Sequence, residues 1–231
     1  MRIAAAPDGR PASDLTARAR IRDAAIECFA DQGFDASFRT IAKRAGVSAG
    51  LITHHFGSKD ALRTECDDEV LHRYQALKTS SLADPSAYLF KHLAEPGPAA
   101  QLMVYMLRAI HAGGRSAQQF LEHLVESVRA VMKEMVEAGL ARPSRDEEAR
   151  VRYLTYQTMG GLLIAFLTMP EATPDAFVRS MSSGHRAEIL PTLELFTEGL
   201  LTTRRMLDDY LVYVGDPPQE AGSEPEQQQT A

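Results

Sequence analysis

Long apolar runs, cysteine and excess positive charge are all scarce in this chain of 231 residues, and each shortage removes a class of protein. The longest strongly apolar stretch, residues 159–169, is too short to span about 30 Å of hydrocarbon, and the opening MRIAAAPDGR has no hydrophobic signal core. Neither membrane insertion nor export is expected; the cytoplasm is. Only two cysteines occur, Cys28 and Cys66. Each falls on the apolar stripe of a predicted helix, as a reduced core residue does, so neither a disulfide framework nor a metal site is expected. A phosphate-binding glycine loop, a nucleophile elbow and a credible triad are missing too, so the chain is not read as an enzyme and no cofactor is expected. The net charge is -6, yet residues 1–60 hold nine Lys and Arg against seven Asp and Glu, whereas residues 61–231 hold 16 against 24. Basic character is segregated toward the amino end, in an excess small enough to permit nucleic-acid binding without demanding it.

What is present is helical pattern. Ile21, Ala25 and Phe29 recur at i+4, and Leu62, Cys66, Val70, Tyr74 and Leu77 continue that spacing over four turns. Clear alternating strands are absent, so the expected fold class is all-α with about nine helices, and 45% hydrophobic content is enough for a core. Gly33, Gly46, Pro96 to Pro98, Gly113-Gly114 and Pro170 to Pro174 punctuate the helices. Residues 1–13 and 215–231, rich in Pro, Gly, Gln, Glu and small residues, are expected to be disordered tails. Residues 14–60 are expected to form a small amino-terminal domain, and residues 61–214 a larger helical one.

The densest information lies in ASFRTIAKRAGVSAGLITHHFGSKDAL, residues 36–62. Ser37 is placed as an N-cap, and Ile41, Ala42 and Ala45 give the following helix a small inward face. Gly46 supplies a left-handed stop, Val47 plugs inward, and Ser48 caps the next helix after a turn of only three residues, the geometry of a helix-turn-helix. In that next helix 100° per residue puts Ile52 and Phe56 inward and turns Gly50, Thr53 and His54 outward. The outward face lacks the Lys and Glu of an ordinary surface helix. Short side chains with hydrogen-bonding ends suit entry into a major groove. Gly50, costing roughly 1 kcal/mol relative to alanine inside a helix, suggests close approach by another molecule. Ser58, Lys59 and Asp60 open a further helix whose free amides and lysine suit a phosphate. Taken alone, Lys59 could equally be a solvated cation and the adjacent His54 and His55 surface or packing residues. The two histidines do not share a helix face, so they make no metal pair.

Residues 34–62 resemble the DNA-binding signature of the TetR family of bacterial repressors, through Thr40-Ile41-Ala42, Ala45-Gly46-Val47-Ser48, Gly50, His55-Phe56, Ser58-Lys59 and Leu62. The resemblance implies base or backbone contacts from Ser48, Ala49, Gly50, Thr53, His54 and His55, with Ser37 and Lys59 holding phosphates of double-stranded DNA. It also implies a homodimer and an effector-binding second domain. The family commonly carries an aromatic where this chain has Thr53, so the usual phenolic phosphate contact is missing. Thr53 would instead offer a methyl or hydroxyl to a base edge.

Past residue 84 no motif is comparably specific. The helices expected over residues 98–112 and 115–139 carry apolar stripes that include methionines, and Met103, Met106 and Met159 suit an adaptable pocket for an apolar effector as well as a plain core. Tyr105, His111, His123 and Tyr156 are the polar groups that would orient such a ligand. A di-metal helical bundle fails because paired Glu-x-x-His motifs are missing. Two further helices, over residues 147–169 and about 191–210, suit a subunit interface. Gly160 and Gly161 are there flanked by Leu154 and Ile164, with Leu193, Phe196 and Leu200 opposite, unless packing within one chain uses the same residues. A two-fold dimer would read a pseudo-palindromic operator. The leading reading is a repressor released by a small-molecule effector, with a tilt of the helix over residues 58–81 as the lever; a ligand-independent or partner-controlled regulator, and a helical enzyme or carrier, are the alternatives.

Overall fold

A computed structural model describes residues 17–82, 84, 97–171, 173–184 and 186–215. The tail expected at residues 1–13, and all but Gly215 of the one expected at residues 215–231, lie outside the described residues. Within them are ten helices: α1 (Ala17–Gln32), α2 (Phe38–Ala45), α3 (Ala49–Phe56), α4 (Lys59–Ser81), α5 (Gly97–His111), α6 (Gly114–Glu137), α7 (Glu147–Thr168), α8 (Pro174–Gly184), α9 (Arg186–Thr197) and α10 (Arg205–Tyr213). The all-α expectation holds, with one helix more than about nine because the single helix expected over residues 191–210 is two. That expectation is corrected at Gly199, which takes φ +80 while its amide and that of Glu198 both donate to the Glu194 carbonyl, at 3.1 and 2.8 Å. A left-handed residue with this closing pattern ends a helix, and α10 starts afresh at Arg205. Among the described residues no helix is long and apolar enough to cross a membrane.

The chain divides into two compact units, residues 1–186 and 187–231. In the first, α1 packs on α2, α4 and α5; α4 also packs on α6; and α5 touches α6, α7 and α8. The i+4 stripe of α1 is buried as read, with Ile21, Ala25, Cys28 and Phe29 all at 0% exposure. The stripe of α4 follows through Leu62, Cys66 and Val70. Both thiols are free and buried, and burial pushes each thiol pKa up, which keeps them in the inert form.

A single core cluster runs from the short helices α2 and α3 through α1 and α4 into Leu102, Tyr105, Met106 and Ala109 of α5, Phe120 and Leu124 of α6 and Met159 of α7. The other side of α5 supplies Ala100, Val104 and Leu107 to a second cluster closed by Phe166 and Phe177. A helix apolar all round is a buried helix, and α5 is the axle of this unit. Its polar atoms are consequently spent on specific partners. The Tyr105 hydroxyl donates to Asp67 Oδ1 on α4 at 2.7 Å, and the Tyr105 ring meets Phe34 edge-on at 5.4 Å and Phe29 at 6.3 Å. One turn on, Arg108 donates from Nε to the Ala30 carbonyl at 2.9 Å and from Nη2 to the Asp31 carbonyl at 3.2 Å. These are carbonyls at the end of α1, where intrahelical donors have run out.

Asp67 is held in this packing at a cost. Desolvation pushes its carboxyl up to about 6, against the opposing pull of the Tyr105 hydrogen bond and of Arg63. Its unfolded value is about 3.9, so the folded chain holds an extra proton between roughly pH 4 and 6, and stability falls as pH rises through that window. Asp67→Asn, whose amide oxygen still accepts from Tyr105, is expected to flatten this decline and to raise stability above about pH 6, measured by chemical denaturation across the range. A variant that declines with pH as steeply as the parent would contradict the assignment.

Candidate nucleic-acid interface

Helix α2 begins where Ser37, extended at φ -78 and ψ 156, accepts from the Thr40 amide at 3.1 Å. It ends at Gly46, left-handed at φ 67 and ψ 36, whose N–H closes on the Ala42 carbonyl. Val47 follows, half-buried and packed on the core, and Ser48 caps α3 by accepting from the Leu51 amide at 3.2 Å. A third serine, Ser58, caps α4 through the Ala61 amide at 3.1 Å. Three capped amino termini thus follow one another within 22 residues of chain, from Ser37 to Ser58, and each offers partial positive charge.

Helix α3 buries Ile52 and Phe56 and leaves Ser48, Ala49, Gly50, Thr53 and His54 exposed, with His55 and Lys59 half-buried and Ser37 exposed. A Cβ added at Gly50 would meet only Ser48 Oγ, at 3.9 Å. Nothing inside the chain therefore requires glycine there. Thr53 turns its hydroxyl back on its own helix, donating to the Ala49 carbonyl at 3.4 Å.

Charge in this region is distributed in a way the sequence did not reveal. Arg44 pairs with Asp31 at 2.6 Å and Glu27 at 3.5 Å, Arg22 with Glu69 at 3.2 Å, and Arg18 with Glu65. Arg20, Arg39, Lys43 and Lys59 have no acidic partner among the described residues. Arg39 and Lys43 lie one turn apart on α2, both exposed. These two cations were missed in the sequence, and the signal for them was weak: i+4 spacing on α2 marks one face, but Arg44 beside them looks the same until its ion pairs are seen.

The seven residues expected around an effector divide between the core and the surface. Tyr105, Met106 and Met159 are core, and Met103 packs between the two clusters. His111 is exposed at the end of α5, and Tyr156, also exposed, accepts from Arg152 Nη1 at 3.2 Å beside the Arg152–Glu122 pair. His123 lines a groove of about 240 Å³ between α4 and α6, with Arg63, Thr64, Asp67, Ser116 and Gln119. On α7, Gly160 is half-buried and Gly161 exposed, and a Cβ on either would meet nothing within 4 Å. Leu154 is half-buried, whereas Ile164 is 67% exposed and continues an apolar strip through Tyr153, Tyr156 and Leu167. In the second unit Leu193, Phe196 and Leu200 are exposed, with Leu211 buried.

Residues 21–66 match the family model described as bacterial regulatory proteins, tetR family, and residues 87–202 match that described as tetracyclin repressor-like, C-terminal domain. The HTH-type transcriptional regulatory protein RaaS of Mycobacterium tuberculosis is 41% identical over 201 residues, which is 86% of this chain and 93% of that protein. The HTH-type transcriptional regulator BetI 1 of Chromohalobacter salexigens is 46% identical over 55 residues, 23% of this chain and 27% of its own. Among solved structures, the fatty acid degradation regulator FadR from Bacillus halodurans superposes with a TM-score of 0.53 at 18% identity, over 79% of this chain and 98% of its own. That likeness is one of fold.

Gly50→Ala separates the two reasons a helix keeps a glycine. Since the added methyl group meets open space, folding stability should rise by about 1 kcal/mol, read from thermal or chemical denaturation. Affinity for a DNA duplex selected by the parent protein should fall. A variant more stable and equally tight would show that nothing approaches this backbone.

Proposed function

The chain belongs to the TetR family of DNA-binding transcriptional regulators, and from that membership we propose a repressor that binds a pseudo-palindromic operator as a homodimer and leaves it when a small molecule occupies its larger domain. The observation that carries the reading is the outward face of α3: Gly50, Thr53 and His54 are exposed, short or hydrogen-bonding, and flanked by the capped termini at Ser37, Ser48 and Ser58. In this reading residues 14–60 form the DNA head and residues 61–214 the regulatory and dimerising part, working in the cytoplasm. Ser37 and Lys59, joined by Arg39 and Lys43, hold phosphates and set the register. Ser48, Ala49, Gly50, Thr53, His54 and His55 face the bases, with the Thr53 methyl suited to a thymine.

The strip on α7 supports dimerisation. Two glycines with open space in front of them, next to an Ile164 that is mostly exposed, fit a helix of a second subunit packing closely there. Leu193, Phe196 and Leu200 add apolar surface for the same purpose. Two heads related by a two-fold axis read half-sites about one helical turn apart, or a multiple of it. The effector acts through α4, which starts under the DNA head at Lys59 and carries Asp67 against Tyr105 in the core. A second reading, control by a protein partner, draws on the burial of Tyr105, Met106 and Met159 in the core.

Three variants test these roles. Lys59→Ala should weaken binding to every duplex and make the salt dependence shallower by about one counterion, whereas Thr53→Ala should change which base is preferred and leave the salt slope intact. Fluorescence anisotropy across a salt series distinguishes the two, and unchanged affinity in both variants would sink the assignment. Ile164→Glu should convert a dimer to a monomer in sedimentation and lower operator affinity with it; a variant that still sediments as the parent does would remove α7 from the interface.

A further inference from the structure

Arg18, in the first turn of α1, places its guanidinium where three helices meet. Nη1 donates to the His55 carbonyl at 2.6 Å. Nε donates to both carboxylate oxygens of Glu65 on α4, at 3.0 and 3.1 Å, and Nη2 donates to the same carboxylate. The guanidinium carbon lies 4.6 Å from the centre of the Phe56 ring. His55 and Phe56 are the last two residues of α3, where helix carbonyls lack intrahelical donors. One side chain therefore closes the carboxyl end of α3 onto α4.

The side chain is about half exposed, at 49%, and an exposed ion pair by itself contributes little to stability. It is also a poor phosphate contact, because each of its nitrogens already donates to Glu65 or His55 and its charge is offset. What this fork does, and an ordinary surface pair does not, is fix an angle. Thr53, His54 and His55 occupy the half of α3 that Arg18 holds, and Glu65 lies within two turns of the start of α4. The geometry points to Arg18 and Glu65 as positioning residues for DNA recognition: they set the pitch of the reading helix against α4, so that displacement of α4 is carried to the base-reading face. The inference rests on the reading that α3 faces the bases.

The test uses the full chain and a duplex selected by it from a randomised pool, with an unrelated duplex alongside, both titrated across salt. Arg18→Gln and Glu65→Gln should each lower affinity for the selected duplex by about ten-fold, with the unrelated duplex and the salt slope little changed, and the double variant should be no worse than either single one. Glu65→Gln is the sharper variant. Removing an acid near DNA raises affinity for any polyanion on charge alone, whereas loss of positioning lowers it for the selected duplex only. Binding of both duplexes as tightly as the parent or tighter by Glu65→Gln overturns the inference, as does an Arg18→Gln variant that loses both duplexes and a unit of salt slope, the mark of a phosphate contact. Where Arg18→Gln fails to show the parent's circular dichroism, Arg18→Lys carries the test, since it keeps the charge and cannot bridge His55 and both Glu65 oxygens. His54→Ala checks the underlying reading: loss there with intact Arg18 and Glu65 variants overturns only the positioning, and no loss in any of them overturns both.

Discussion

The contact on which the first unit depends is the seating of Tyr105 among Phe29, Phe34 and Asp67. Without it the short helices would have only α1 and α4 to lean on; with it, the axle helix α5 closes the same core from the far side. Each aromatic pair contributes on the order of 0.5–1.5 kcal/mol beyond the area it buries, and a hydrogen bond to a charged acceptor about 1.5–3 kcal/mol. The desolvation of Asp67 works against the second figure, so packing decides the matter and the hydrogen bond chooses the rotamer. Arg108 completes the joint by capping α1 from the same face of α5. The DNA head is thus not a bead on a string. Its α1 end is gripped by the body, and a shift of α5 reaches the head without passing through α4 at all.

A second theme is which charges remain available. Three of the arginines in the first 60 residues are committed to carboxylates within the fold: Arg18, Arg22 and Arg44. These pairs orient α1, α2 and α4 against one another and take their cations out of any account of DNA affinity. Among the described residues the cations left over there lie on α1, on α2 and at the start of α4. Counting basic residues along the chain cannot make this separation, since a paired and an unpaired arginine are written with the same letter.

How much was legible follows the range of the signals involved. The caps at Ser37, Ser48 and Ser58 and the stop at Gly46 are decided within three or four residues, and all four are where the sequence put them. The inward turn of Ile52 and Phe56 needed only helical geometry. Tyr105 was different. It reads as a ligand-orienting hydroxyl because its partner lies 38 residues away, and periodicity says that a residue faces inward without saying whom it meets. Met106 and Met159 were ambiguous for the same reason, since a stripe of methionines looks alike whether the space beyond it is filled or open. Gly199 carried a local signal that the apolar spacing around it overrode, and the helix read across it is two.

The unpaired cations have a kinetic consequence. Arg20, Arg39, Lys43 and Lys59, without an acidic partner among the described residues, put unpaired positive charge on α1, on α2 and at the start of α4. In the field of a polyanion these side chains feel a pull before they make any contact, and the helices that carry them are drawn inward. Non-productive collisions are reduced, and the first touch is made by the surface that has to read. The effect fades within about a Debye length, roughly 8 Å at physiological salt, so it orients the last steps of approach and not the search as a whole.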